Sequence, residues 1–168
     1  MKPIWAVSVI ASILILGTLG LSSNPWMPDN ALAQLTITNL GFSISGFLLD
    51  GNTLAFSVSE SGEGTDLNND SDTNDRVMHV YDVAADTTTN LELAAGGNFE
   101  LDGNTLAFLV FESQQGTDLN GDSDTNDSVL HAYNVATDTT TNLELTVFSS
   151  NIGVDGNTLA FNAAESGE

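Results

Sequence analysis

Hydrophobic and polar residues alternate along several short segments of this chain, and alternation with a period of two is typical of β-strands. In Thr53–Ser59, the residues Leu54, Phe56 and Val58 fall on one face, while the other face carries small or polar residues. This pattern predicts a half-buried strand. The Asp-Gly-Asn sequence before it is a tight-turn signal, so the apolar residues 47–49 are predicted to pair with the strand in a hairpin.

Two further strands are predicted after this hairpin. In residues 77–83, Val, His, Tyr and Val alternate with other residues and so fall on one face. Residues 87–93 are rich in threonine and carry two leucines two positions apart, on the same face of a strand. No window combines apolar residues at helical spacing with capping residues. Four short antiparallel strands in one unit predict an all-β fold built from four-stranded blades of a β-propeller.

The same pattern occurs again later in the chain. The sequence Asp-Gly-Asn-Thr-Leu-Ala-Phe begins at Asp50, Asp102 and Asp155, with spacings of 52 and 53 residues. Residues 50–95 and 102–147 are identical at 34 of 46 positions. A fixed period of this length predicts a propeller or a solenoid. The predicted repeat domain covers residues 34–168, with units 50–101 and 102–154 and a partial unit 155–168.

The number of repeats raises a question about how the domain closes. The chain holds about two and a half units, whereas a propeller ring usually needs about four to eight blades. An open array leaves strand edges unpaired. We therefore expect either that the chain is a fragment of a longer propeller, which the ending inside a repeat favours, or that several chains associate through their open blade edges.

The N-terminal segment has the order of a secretory signal peptide. An apolar run, Ile4–Gly20, follows a short basic start, and Ala31-Leu32-Ala33 forms a small-x-small cleavage site. We expect residues 1–33 to be a helical signal peptide that is removed before Gln34, which makes the protein secreted or periplasmic. The alternative is a membrane anchor, because about 17 apolar residues lie near the lower limit for spanning. Pro25 and Pro28 interrupt the segment and favour cleavage.

Charge and composition narrow the possible partners. The chain carries 23 Asp and Glu against 2 Lys and Arg, a formal net charge of -21. Such a surface repels phosphate backbones and anionic lipid, so we expect no nucleic-acid partner and no membrane association after signal cleavage. There is no cysteine, which excludes disulfides and thiolate metal sites. Hydrophobic residues make up 41%, a fraction typical of a folded domain.

Each of the two full repeats contains one acidic loop, in which Asp and Asn occupy alternate positions from Asp66 and from Asp118. Calcium takes about six to eight oxygen ligands, and a loop of this kind supplies them. The spacing resembles the first half of an EF-hand loop, but Ser71 stands at the usual Gly and Val77 at the usual bidentate Glu. The predicted ligands are Asp66, Asn68, Asp70, Asp72 and Asp75 in the first loop and Asp118, Asn120, Asp122, Asp124 and Asp127 in the second. Weak calcium binding is the preferred interpretation, and a solvated acidic loop without an ion is the alternative.

Two motifs resemble those of a known family. The Asp-Gly-Asn-Thr-Leu-Ala-Phe hairpin and the stretch 80–91, Val-Tyr-Asp-Val-Ala-Ala-Asp-Thr-Thr-Thr-Asn-Leu, resemble TolB-type β-propeller repeats. The second copy matches with Ala132-Tyr133-Asn134-Val135, and departs from the family pattern where Asn134 replaces Asp and the following turn lacks Gly. The resemblance implies a propeller fold and a scaffold role, but no particular reaction, because propellers host unrelated functions.

Residues for catalysis are sparse in this sequence. It lacks Gly-x-Ser-x-Gly, His-Glu-x-x-His and a phosphate-binding loop with lysine. His79 and His131 lie in phase with apolar residues and are expected in the core. We expect a non-enzymatic exported scaffold that binds a protein or glycan partner. The alternatives are a propeller domain of a larger exported hydrolase or other enzyme and a purely structural repeat.

Overall fold

The computed structural model describes residues 14–17 and 35–163. Within these residues the fold is all-β with antiparallel pairing throughout, as predicted. The strands are β1 (Leu14–Gly17), β2 (Leu35–Thr38), β3 (Ile44–Asp50), β4 (Thr53–Ser59), β5 (Arg76–Asp82), β6 (Thr87–Ala94), β7 (Phe99–Asp102), β8 (Thr105–Phe111), β9 (Ser128–Asn134), β10 (Thr139–Asp155) and β11 (Thr158–Ala163). Two helical turns, α1 (Glu60–Glu63) and α2 (Glu112–Gln115), follow β4 and β8. Neither is long and apolar enough to cross a membrane.

The chain divides into two compact units, Met1–Ser43 and Ile44–Glu168. In the first unit, β1 pairs antiparallel with β2 over all four residues of each strand. Leu14–Gly17 is therefore a strand and not part of the predicted signal-peptide helix. A short run of leucine and isoleucine suits either structure by its pattern, and the backbone partner offered by β2 decides for the strand. The rest of the predicted signal peptide, including the cleavage site, lies outside the described residues.

The first repeat forms a four-stranded antiparallel sheet in the order β3-β4-β5-β6. This agrees with the prediction of four strands in that repeat, and β4 has the predicted bounds. Asp50 pairs with Thr53 across a two-residue turn in which Gly51 has φ +54°. Glycine suits this left-handed position because it has no Cβ to clash with the backbone. The Asp-Gly-Asn signal thus acts as the sequence predicts.

The second repeat continues directly into the third through one long strand. β10 pairs with β9 through Thr139–Thr146 and then with β11 through Val147–Asp155, which gives a five-stranded sheet in the order β11-β10-β9-β8-β7. In the first repeat, Gly97 has φ +90° and separates β6 from β7. The second repeat has no glycine at the equivalent position, so the strand runs on. β10 also contacts β7 and β8, so this sheet curls and is nearly closed.

The buried core includes both faces of β4, which differs from the sequence prediction for this strand. β4 was predicted to be half-buried, yet Ala55 and Ser57, on the face opposite Phe56, are also buried. The reason is that residues of the second repeat pack against Ala55 and exclude water from that face. The shared core cluster consists of Ala55, Met78, Val80, Ala95, Leu106, Phe108, Val110 and Tyr133. A second cluster joins the second repeat to the hairpin of β10 and β11 and consists of Ala107, Leu109, Leu130, Val147 and Ile152.

Hydrogen bonds between hairpin turns join successive repeats in the same way. The Asp50 carboxylate accepts a hydrogen bond from the Gly103 N–H at 2.6 Å, and Asp102 accepts one from Gly156 at 2.5 Å. The aspartates of the first two Asp-Gly-Asn turns therefore each contact the glycine of the following turn. A charged acceptor strengthens such a bond relative to a neutral one. This contact aligns the repeats in register.

Candidate metal centre: the two acidic loops

Each acidic loop connects the second and third strands of its repeat and begins with a helical turn. The turn α1 ends at Gly64, whose φ of +68° closes the turn by a hydrogen bond from its N–H to the Glu60 carbonyl. Glu60 N–H in turn donates to the Asp75 carbonyl at 3.0 Å. The two ends of the loop are thereby held together by backbone contacts. The second repeat repeats this arrangement, with Glu112 N–H donating to the Asp127 carbonyl at 3.0 Å.

The side chain of Glu60 organises the first loop from inside. It is completely buried, and its Oε1 accepts hydrogen bonds from Leu67 N–H at 2.6 Å and Asn68 N–H at 3.4 Å. Its Oε2 accepts a third from Asp75 N–H at 3.0 Å. One carboxylate therefore holds both the beginning and the end of the loop. Backbone donors around an ionised carboxylate stabilise its charge.

Glu112 plays the same part in the second loop. It is also completely buried and accepts hydrogen bonds from Leu119 N–H at 2.6 Å, Asn120 N–H at 3.3 Å and Asp127 N–H at 3.1 Å. Neither glutamate is among the residues predicted from the sequence. A signal for them is present, however, because Glu60 continues the buried phase of Leu54, Phe56 and Val58. Glutamate is rarely buried unless it has partners, so a glutamate at a position that alternation predicts to be buried indicates a site with a special role.

Asp66 and Asp118, which were predicted as ligands, shape the loop backbone. Asp66 accepts hydrogen bonds from Asn69 N–H at 2.7 Å and Ser71 N–H at 3.0 Å. Asp118 accepts the equivalent bonds from Gly121 and Ser123 at the same distances. Aspartate side chains favour tight turns by bonding to the backbone a few residues ahead. Both of these aspartates therefore use their carboxylate oxygens for turn formation.

Ser71 takes the backbone conformation usually given to glycine in a calcium loop. Its φ is +83°, and the equivalent Ser123 has φ +81°. A residue with a Cβ adopts this region only at a cost of about 1–3 kcal/mol, so the surrounding hydrogen bonds must compensate. The absence of glycine at this position in the sequence therefore does not prevent the sharp turn.

Carboxylate oxygens converge at the end of each loop. Oxygen atoms of Glu60, Asp72 and Asp75 lie within 4.8 Å of one another in the first repeat. The corresponding group in the second repeat is Glu112, Asp124 and Asp127. Of the predicted ligands, the structure thus groups the third and fourth aspartates of each loop with a glutamate that the sequence reading missed. Three carboxylates at this distance can share one cation through oxygen ligands.

The remaining predicted ligands border these groups. The Asp70 carboxyl lies beside Asp75, and its Oδ1 accepts a hydrogen bond from Asp72 N–H at 2.9 Å. Burial, followed by the nearby Asp70 and then the charge of Asp72, raises the pKa of Asp75 to about 7. Burial and the acidic neighbours both disfavour the charged form of Asp75, and a nearby cation would favour that form. In the second loop, Asp122 accepts a weak hydrogen bond of 3.4 Å from Asn120 Nδ2.

Asn68 contributes a buried amide with an unused acceptor. The residue is only 6% exposed, its Nδ2 donates to Asp75 Oδ2 at 3.4 Å, and its Oδ1 is buried without a hydrogen-bond partner. An unpaired buried carbonyl oxygen costs about 1–3 kcal/mol, and a metal ion is one way to satisfy it. The equivalent Asn120 donates to Asp127 and Thr146, both at 2.8 Å.

Positive side chains that could balance these groups are almost missing from the protein. The sequence has one lysine, Lys2, which lies outside the described residues, and one arginine. Arg76 follows Asp75 directly, but its Nε donates to Ser45 Oγ at 2.9 Å. Buried carboxylates without a cationic partner are unfavourable unless an ion or a proton neutralises them. The donor set, made only of oxygen atoms, fits a hard divalent cation.

The two histidines lie in the core, as the sequence predicts. His79 stacks on Phe56 with ring centroids 5.7 Å apart, and His131 stacks on Phe108 at 5.9 Å. Both are at most 3% exposed, and their Nδ1 atoms contact carbonyl oxygens of Val77 and Val129. Burial lowers the pKa of each histidine.

These buried histidines predict a loss of stability in mild acid. Because the folded pKa lies below the unfolded value near 6.5, the unfolded chain takes up protons first as the pH falls. Their contribution is complete above about pH 6.5 and decreases below it, by at most about 1.4 kcal/mol per pH unit for each histidine. We expect the melting temperature in chelator to fall more between pH 7.5 and 5.5 for the wild type than for a His79→Leu, His131→Leu variant. Equal falls would contradict this prediction.

Comparison of the whole chain with protein-family models, with curated proteins and with solved structures finds no match.

Proposed function

We propose that this protein is an exported, non-enzymatic scaffold or binding module whose acidic loops bind calcium. The observation that carries the calcium part is the fully buried Glu60 beside Asp72 and Asp75, in a chain with only 2 lysine and arginine residues. A divalent cation offsets the mutual repulsion of these carboxylates and replaces the water that the buried Glu60 and Asp75 have lost. The ion then fixes a loop that otherwise relaxes to separate its charges.

Each site combines residues from two parts of its repeat. In the first, the group of Glu60, Asp72 and Asp75 supplies carboxylate oxygens, and Asn68 supplies its unused amide oxygen. The bidentate glutamate that ends an EF-hand loop is replaced here by a glutamate that precedes the loop. Glu60 already accepts backbone hydrogen bonds, so it shares its oxygens between loop and ion. We therefore expect weak binding, with a dissociation constant on the order of 0.1–1 mM, as in extracellular modules.

We further propose that the repeats are blades of a TolB-type propeller. The arguments for this are the four-stranded antiparallel sheet of the first repeat, the shared core between the first and second repeats, and the turn contacts from Asp50 and Asp102. Sheets that pack face to face at a fixed period are expected of neighbouring blades. Calcium at the loops stiffens each blade where its second and third strands meet.

Export and partner binding complete the proposal. The apolar N-terminal run with its small-x-small site argues for a secreted or periplasmic protein, where calcium is plentiful. A cleft of about 500 Å³ lined by Thr139, Thr141, Asn157 and neighbouring residues offers hydroxyl and amide groups to a protein or glycan partner.

The edge strand β3 exposes Phe47 and Leu49, which favours self-association through open blade edges.

Calcium titration tests the central part of this proposal. Calorimetry is expected to show two sites in the wild type, one for each loop. Free calcium at ten times the dissociation constant should stabilise the protein by about 1.4 kcal/mol per site, which is visible as a higher melting temperature. The double variant Asp72→Asn, Asp124→Asn should lose most of this effect, because asparagine keeps the local turn but removes one carboxylate from each group.

The matched control for this titration is Glu100→Gln. This exposed glutamate on β7 carries the same charge but lies outside both loops, so its removal should leave calcium binding unchanged. Magnesium serves as a second control, because it demands a smaller octahedral site and should compete poorly. A wild-type protein that neither binds millimolar calcium nor melts at a higher temperature in it would refute the proposed metal centre and favour a solvated acidic loop.

A further inference from the structure

The helical turn α2 differs from α1 at the boundary between the first two repeats. The sequence of α1 is Glu-Ser-Gly-Glu, and that of α2 is Glu-Ser-Gln-Gln. The third copy, at residues 165–168, again has Glu-Ser-Gly-Glu. Only the second repeat therefore carries two glutamines at these positions. The side-chain contacts of Gln115 therefore depend on a residue that the first and third copies replace with glutamate.

Gln115 connects α2 to the last strand of the first repeat. Its Oε1 accepts Ala94 N–H at 2.7 Å, and its Nε2 donates to the Glu92 carbonyl at 3.3 Å. On the same strand, Asn90 Nδ2 donates to the Leu67 carbonyl at 2.8 Å, and Leu67 lies in the first acidic loop. Hydrogen bonds therefore run from the first loop through β6 to α2.

A second connection passes through the metal-centre residue Asn68. Its Nδ2 donates to the Gln114 carbonyl at 3.1 Å, so the amide that borders the first group of carboxylates is held by α2. The first residue of α2 is Glu112, which is buried and holds the beginning and end of the second loop through Leu119 and Asp127. One four-residue turn thus contacts the first site directly and anchors the second.

We propose that the two acidic loops bind their cations with positive cooperativity, coupled through α2. This inference rests on the calcium binding proposed above. The argument for a cation in the first loop includes the unpartnered Oδ1 of Asn68, a residue that is only 6% exposed. Without an ion, carboxylate repulsion loosens each loop. A cation in the second loop fixes Glu112 and the whole of α2, and so positions Asn68 and β6 for the first cation.

The coupling is reciprocal, as thermodynamic linkage requires. Filling the first site orders Asn68 and its contact with the Gln114 carbonyl, which restrains α2 and with it Glu112. The element with two states is α2 together with the loop that it anchors, and both sites favour its ordered state. Coupling between sites in proteins typically changes affinity by about 5-fold to 150-fold. We expect a value near the lower end, because two hydrogen-bonded connections carry it.

Calorimetric calcium titration of three proteins tests this coupling. The wild type is compared with Gln115→Ala, which removes the connection to β6, and with Glu63→Ala, the same position in α1, as the matched control. Each is also measured with Asp124→Asn, which disables the second site. In the wild type and in Glu63→Ala, disabling the second site should weaken the first by at least about fivefold. In Gln115→Ala, which keeps the hydrogen bond from Asn68 to the Gln114 carbonyl, disabling the second site should weaken the first by less than it does in the wild type.

The outcomes separate this inference from the proposed function. If calcium fills two sites and Asp124→Asn leaves the first-site affinity of the wild type unchanged, the coupling is wrong and the calcium proposal stands. If neither loop binds calcium, the proposed function fails and the coupling fails with it. Circular dichroism checks the folding of Gln115→Ala. Should that variant be unfolded, the wild-type comparison with and without Asp124→Asn decides by itself.

Discussion

Replacing Glu60 with Gln is expected to lower the free energy of unfolding by about 3 kcal/mol in calcium-containing buffer, measured by urea denaturation. The carboxylate accepts three backbone hydrogen bonds at the two ends of the loop, and it is completely buried. A hydrogen bond to a charged group is worth about 1.5–3 kcal/mol, and a buried donor left unpaired costs about 1–3 kcal/mol. Glutamine keeps one acceptor but turns an N–H toward the backbone N–H of Asp75 or Leu67. The loop therefore loses one of its two anchors.

The control for this substitution is Glu63→Gln in the same helical turn. Glu63 is partly exposed and carries the same charge, so its replacement should change the free energy of unfolding by no more than about 0.5 kcal/mol. Glu112→Gln should resemble Glu60→Gln, because its contacts are equivalent. Equal stabilities of the Glu60 and Glu63 variants would show that the buried carboxylate does not organise the loop.

The second large effect is expected for Phe108→Ala, which should destabilise the protein by about 3–5 kcal/mol. Phe108 is completely buried in the cluster that joins the first and second repeats. Removing its ring loses the transfer free energy of the side chain and leaves a cavity that the rigid sheets on both sides cannot fill. The stacking contact with His131 is lost as well. Urea denaturation followed by circular dichroism gives the value.

Phe47→Ala is the matched control for the core substitution. Phe47 is also a strand phenylalanine, but 63% of its surface is exposed, so its replacement should cost less than about 1 kcal/mol. A cost for Phe108→Ala no larger than this would mean that the repeats fold as separate sheets without a shared core. If the two repeats unfold as one cooperative unit, Phe108→Ala should lower the urea concentration at the midpoint of unfolding without adding a separate early transition.

Some features of this fold follow from local sequence because they depend on local physics. The strand Thr53–Ser59 has the bounds that its alternation predicts, and the turn at Gly51 forms where Asp-Gly-Asn predicts it. Side chains alternate between the two faces of a strand in any context, and glycine alone takes left-handed turns at little cost. The position of the acidic loops between the second and third strands was also predictable, since the repeats align them with the strands on either side.

Other features depend on contacts that the sequence pattern does not contain. Periodicity distinguishes the two faces of β4, but only the second repeat packing on Ala55 makes both faces buried. The pairing of Leu14–Gly17 with β2 decides between helix and strand for an apolar run that suits both. The change of partner along β10 likewise depends on which strands lie beside it.

The candidate metal centre likewise has a part that the sequence predicts and a part that only the tertiary structure shows. The sequence by itself determined the repeat, its strands, the strong negative charge and the spacing of Asp72 and Asp75, because these are properties of local order and composition. Only the tertiary structure brought Glu60 into that group and turned Asp66 to the backbone. The reason is that a carboxylate joins a site by its distance and burial, and both are set when the helical turn folds against the end of the loop.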